Sequence, residues 1–80
     1  MKVEDQIIVV TGAASGIGRA LVRRFAAEGA KAVVSVDLNG EGAEATAAEV
    51  GGLGLKADVS LESDIAEIIE TTESRVGPID

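Results

Sequence analysis

Three glycines at positions 12, 16 and 18 stand in the run Thr11-Gly12-Ala13-Ala14-Ser15-Gly16-Ile17-Gly18, between an unbroken aliphatic stretch and a segment with helical spacing. A junction of this kind brings unpaired backbone N–H groups to the positive end of a helix, which favours an anion such as phosphate. Gly12 is expected to make a tight turn that side chains disfavour. Gly16 is expected to keep a Cβ out of the path of a diphosphate, and Gly18 to let the helix approach the sheet. The main-chain amides of the loop, as far as Ile17, are the expected donors, and Ser15 offers a hydroxyl. In a chain with ten Gly the same run also reads as turn chemistry.

Two common phosphate loops do not fit these residues. A P-loop needs Gly-Lys followed by Ser or Thr, and counting from Gly12 puts Ile17 and Gly18 there, so no lysine is placed for a terminal phosphate. The fingerprint Gly-x-Gly-x-x-Gly also fails, because the spacing here is Gly-x-x-x-Gly-x-Gly. Asp37 lies nineteen residues after Gly18, close to the separation at which an acid grips an adenosine ribose. It also precedes Asn39-Gly40, a good turn pair, and so reads equally as a turn acid. Asp58 and Val59 follow the third apolar run, at the sheet edge where open α/β folds place ligands, or else begin the next turn.

The elements that would position these residues repeat one plan three times: a short β-branched run, a turn, then helical spacing. Gln6 to Thr11 reads as a buried parallel strand. A helix from about Gly16 to Glu28 places Ile17, Leu21 and Phe25 on one face with Ala20 beside them, and Gly29 ends it as the left-handed residue. Ala32 to Val36 forms the second strand, closing on Asp37, and an Ala/Glu-rich helix follows from Gly40 to Val50. The third strand covers Leu53 to Ala57. Ser60 is the expected N-cap of a last helix carrying Glu62 and Asp64 in its first turn and Leu61, Ile65, Ile68, Ile69, Thr72 and Val76 at helical spacing. That helix stops at Gly77-Pro78. The fold class is therefore α/β, with three βα units and three parallel strands in a single partial domain over residues 1–80.

Composition narrows the function. Seven Lys or Arg against fourteen Asp or Glu leave seven net negative charges, which disfavours nucleic acid and anionic membranes as partners. Apolar residues make up 46% and charged residues 26%, ordinary values for a globular chain. There is no Cys, His, Tyr or Trp, so no thiolate nucleophile or Cys-ligated zinc is available, and the commonest proton carriers near neutral pH are missing. Glu41, Glu44 and Glu49 have no metal-ligand spacing and read as surface. Arg19, Arg23 and Arg24 form a basic ridge on the first helix, best read as a solvated face, with Arg24 and Glu28 at pair spacing. No signal peptide or membrane span is visible, and a cytoplasmic location is the default expectation.

The Thr-Gly-x-x-x-Gly-x-Gly motif, matched here at every specified position from Thr11 to Gly18, resembles that of the short-chain dehydrogenase/reductase family. The likeness spans essentially all eighty residues. It implies a Rossmann-like doubly wound sheet, a nicotinamide cofactor and reversible oxidation of an alcohol to a ketone. By the same resemblance Asp58 faces the exocyclic amine of adenine and Val59 packs on the ring. The Asp37 carboxylate would accept both ribose hydroxyls and repel a 2′-phosphate, and Ser15, Leu38 and Asn39 supply no cation, so NAD is favoured over NADP.

The family's Tyr-x-x-x-Lys pair, its Ser and its Asn-rich stretch are not among these residues, so the chain is expected to be a truncated or partial member, inactive alone. Gly77-Pro78-Ile79-Asp80 resembles the approach to the family's fourth strand. In the strand order 3-2-1-4 the first strand would be an open edge, and the third helix would cross to the other face with Ile65, Ile68 and Ile69 partly exposed. Self-association is the expected consequence. A noncatalytic nucleotide-binding or partner-interaction fragment is the alternative reading. Another Rossmann-like binder, such as a methyltransferase, is disfavoured by the glycine spacing.

Overall fold

The computed structural model describes residues 3–77. Six elements alternate along the chain: β1 (Ile7–Thr11), α1 (Gly16–Ala27), β2 (Ala32–Asp37), α2 (Gly40–Val50), β3 (Leu53–Lys56) and α3 (Glu62–Arg75). The strands are parallel in the order β1-β2-β3, with Ile7 opposite Ala32 and Val34 opposite Leu53. Parallel neighbours need crossovers, and α1 and α2 supply the two. Within β2, successive side chains point to opposite faces. Val33 packs with Val10, Ala13 and Val22 beneath α1, while Val34 and Val36 pack with Ala57 and Ile68 beneath α3. The expected crossing of α3 to the second face is therefore observed, and the sheet is doubly wound.

The end of α1 follows from its sequence. Gly29 has φ of +90°, and the N–H groups of Gly29 and Ala30 donate to the carbonyls of Ala26 and Phe25, closing the helix as glycine at this position does. The buried face of α1 departs from expectation. Gly18 and Val22 are buried, with Phe25 and Ala26 half-buried against the same core, whereas Ile17 is 80% exposed and Leu21 and Ala20 face outward. The reason is steric: a Cβ on Gly18 would stand 2.0 Å from the Gly12 carbonyl oxygen, so the helix is pressed there against the chain leaving β1. That contact sets its rotation.

Helix α2 buries only small groups, Ala43, Thr46 and Ala47. Its N-cap is Asn39, whose Oδ1 accepts from the Gly42 N–H at 3.0 Å. Ser60 does not cap α3. Its hydroxyl donates to Asp58 Oδ1 at 2.6 Å, and the helix starts one residue later from Leu61, which makes no side-chain cap bond. On α3, Ile68 is buried, but Ile65 is 41% and Ile69 45% exposed beside the β1 edge. Strand β3 ends at Lys56, not Ala57: the Ala57 N–H makes the last bond to β2, to the Asp37 carbonyl at 3.1 Å, and the Asp58 N–H leaves the sheet for Asp64 Oδ2 at 2.8 Å. The expected approach to a fourth strand at Pro78, Ile79 and Asp80 lies outside the described residues.

Candidate functional site

The loop from β1 to α1 is held by its own neighbours more fully than its sequence suggests. Gly12 adopts φ of +67°, the tight turn expected of it. The Ala13 N–H then donates to the Val36 carbonyl at 3.0 Å, and the Ala14 N–H donates to Asp37 Oδ2 at 2.9 Å. The Ser15 N–H donates to the Gly12 carbonyl, and the Gly18 N–H to Ser15 Oγ at 3.1 Å. Three of the expected anion donors, the amides of Ala13, Ala14 and Ser15, are thus already spent, as is the Gly18 amide just beyond them. The Ser15 hydroxyl is spent as well, since it caps α1 and gives its proton to the Gly12 carbonyl at 2.7 Å. Among the described residues no acceptor reaches the N–H groups of Gly16 and Ile17, which open α1. A Cβ built on Gly16 meets nothing within 4 Å.

Asp37 closes β2 on the other side of this loop. Its Oδ1 accepts from the Asn39 N–H at 3.0 Å and its Oδ2 from Ala14. These bonds, Asn39 first, then Ala14 and less strongly Leu38, hold its carboxyl below the usual carboxylate value despite a smaller opposing effect of desolvation. A carboxylate has about four acceptor sites, so ones remain for further donors. Gly12, Asp37, Asp58 and Val59 line one open cleft of about 170 Å³ with Val36, Leu38 and Ala57. Asp58 is also held below its usual value, by the Ser60 hydroxyl and then the Ser60 N–H. The fold therefore gathers Gly12, Asp37, Asp58 and Val59 around a cleft and sets Gly16 and Ile17 at the adjoining helix start, with Ser15 and Gly18 as supports of that start.

The supporting roles of three residues escaped the sequence reading, in which Glu49 is only surface and Asp64 only a first-turn acid. Thr46, fully buried on α2, donates from Oγ1 to the Ala13 carbonyl at 2.9 Å and accepts from Arg19 Nε at 3.3 Å. Glu49 takes two bonds from Arg23, at 2.9 and 2.6 Å, and lies 3.7 Å from Arg19 Nε, so part of the basic ridge is paired. Asp64 reaches back to the Asp58 N–H at 2.8 Å. Each partner is far along the chain or reaches back across a turn, and no local spacing announces it. Arg24 and Glu28 do pair, at 2.7 Å on the surface. Among the described residues no three His, Cys, Asp or Glu side chains gather as a metal site, and no helix is long and apolar enough to cross a membrane.

Comparison with known proteins adds a lineage to this geometry. A family model described as short chain dehydrogenase matches residues 6–80. The chain is 40% identical over 81 residues to a (+)-cis,trans-nepetalactol synthase of Nepeta racemosa, covering 99% of this chain and 30% of the relative. It is 38% identical over 84 residues to a D-threitol dehydrogenase of Mycolicibacterium smegmatis, covering 99% and 32%. A crystal structure of a 3-ketoacyl-(acyl-carrier-protein) reductase from Brucella melitensis complexed with NADH superposes with a TM-score of 0.90 at 41% identity, over 98% of this chain and 33% of that one. The chain thus spans about a third of the length of these relatives.

Proposed function

Because the chain belongs to the short chain dehydrogenase family, we propose that it forms the dinucleotide-binding part of an oxidoreductase acting on an alcohol or ketone, with NAD preferred to NADP. One observation carries the reading: among the described residues the N–H groups of Gly16 and Ile17 stand without partners, with open space at Gly16, next to a cleft that holds the Asp37 carboxylate. These two amides receive an oxygen of the diphosphate at the positive end of α1. The free acceptor sites of Asp37 take the adenosine ribose hydroxyls. Asp58 accepts from the exocyclic amine of adenine, and Val59, 45% exposed, lies against its ring. When bound, the nicotinamide supplies hydride transfer.

Cofactor choice follows from charge. The cleft is lined by two carboxylates, both with lowered pKa values, and by no Lys or Arg, so a ribose 2′-phosphate in it meets repulsion from both acids, with Lys56 opposite Asp37 on β3 outside the lining. Protonation of a substrate oxygen falls to groups outside these eighty residues, which contain no Tyr or His, and the chain by itself is proposed to bind without turnover. Titration with NADH, NADPH and S-adenosylmethionine tests the reading. NADH is expected to bind most tightly, and Asp37→Ala to weaken NADH more than NADPH. Equal losses for both, or tightest binding of S-adenosylmethionine, would overturn it.

A second role has its own support. Strand β1 is an edge of the sheet, and beside it Val9, Thr11, Val59, Ile65, Ile68 and Ile69 line an apolar groove of about 310 Å³. Burying such a surface favours self-association of the chain.

A further inference from the structure

The Ala13 carbonyl and the Ala14 N–H belong to one peptide group, and each is taken by a residue from a different element. Thr46 of α2 donates to the oxygen, while Asp37 of β2 accepts from the N–H. We propose that Thr46 is a positioning residue for Asp37, acting through this shared peptide. The inference rests on the dinucleotide reading only in making Asp37 the ribose acceptor.

The direction of the relay is set by its donors. Arg19 Nε can only donate, so the Thr46 oxygen accepts there and its proton goes to Ala13. Arg19 is steadied in turn by Glu49 at 3.7 Å, itself gripped by Arg23. Amide resonance couples the two ends of the peptide: a donor on the carbonyl strengthens the N–H as a donor. The Ala14 N–H then fixes one carboxylate oxygen of Asp37 while the Asn39 N–H fixes the other, and the carboxylate faces the cleft. Packing prevents escape, because Ala13 and Thr46 are fully buried and a Cβ on Gly42 would lie 2.6 Å from the Ala14 methyl. No water reaches Ala13 to replace a lost hydroxyl. Other charges near Asp37 are Asp58 across the cleft, Lys56 opposite it on β3 with its stem along Gly40, and Glu41 in the first turn of α2; none of them bonds to Asp37 among the described residues.

The test uses the isotope-labelled full chain in four forms: the parent, Thr46→Val, Thr46→Ser and Arg19→Met. Two NMR readouts need no cofactor, the titration midpoint of the Asp37 carboxyl and the chemical shift of the Ala14 amide proton. Thr46→Val is expected to raise the midpoint and move the amide proton upfield, with Thr46→Ser restoring both. NADH affinity should fall about fivefold in Thr46→Val, the worth of one hydrogen bond, and stay within about twofold in Thr46→Ser. If Thr46→Val does not fold, Arg19→Met, which keeps the hydroxyl, must still shift both readouts in the same direction. A folded Thr46→Val, or an Arg19→Met, with parental midpoint and amide shift would overturn the proposal. NMR shifts as expected in a chain that binds no NADH would uphold the positioning role and sink the dinucleotide reading instead.

Discussion

Replacing Gly16 by alanine separates what the fold demands from what a ligand demands. The backbone there is not in the left-handed region, and a Cβ would meet no atom within 4 Å, so the protein itself gives no reason for glycine. Alanine is the better helix former by about 0.5–1 kcal/mol in an interior, and less at a first helical position. The thermal midpoint of Gly16→Ala should therefore stay level or rise by about 0–4 °C. Binding should respond oppositely. The new methyl enters the open space at Gly16, where the proposed diphosphate approaches, and is expected to hold it off at least one of the Gly16 and Ile17 amides. A hydrogen bond to a charged group contributes about 1.5–3 kcal/mol, so NADH affinity should fall about ten- to hundredfold. Gly18→Ala supplies the contrast: its Cβ would sit 2.0 Å from the Gly12 oxygen and 2.8 Å from the Ala13 Cα, a backbone clash that should cost about 1–3 kcal/mol or more of stability. Fluorescence titration with NADH beside a thermal melt reads both quantities. A folded Gly16→Ala chain binding NADH as tightly as the parent would refute the reasoning.

Other expectations are simpler to check. Asn39→Ala removes the cap of α2 and should lower stability by about 1 kcal/mol in urea titration, whereas Ser60→Ala, which removes no helix cap, should cost less. Asp37 and Asp58 both have lowered folded-state pKa values, so the stability they contribute is complete above the unfolded carboxylate value of about 3.9 and is lost as pH falls through their lower folded values. Melts should accordingly be flat from pH 7 to about 5 and fall below 4, less steeply in Asp37→Asn. Arg23→Ala breaks a half-exposed pair with Glu49 and should change stability by no more than about 1 kcal/mol, an effect that shrinks in high salt. Ile69→Lys places a charge in the apolar groove beside β1 and should reduce self-association in sedimentation velocity.

Local signals carried much of this protein. The unbroken Ile7 to Val10 run, the glycines at 12 and 29 and the Gly40–Val50 helix are legible from sequence because they depend on backbone preferences within a few residues. The pairing of a glycine turn with an acid at the next strand tip was equally legible, since parallel strands bring their C-terminal ends to one edge.

Tertiary structure decided which face of α1 is buried, because Ile17-Leu21-Phe25 and Gly18-Val22-Phe25 are both helical stripes and only the close contact at Gly18 chooses between them. It also decided which loop amides stay free. Residues 23 to 33 positions apart meet at Asp37 with Ala14 and at Thr46 with Ala13, and such hydrogen bonds leave no periodic trace in a chain. Sequence thus determined the elements and the residue types at their ends. Three-dimensional packing assigned the Ala13–Ala14 peptide, Thr46 and Asp37 their partners, because buried donors and acceptors are mostly satisfied by what the fold brings within reach.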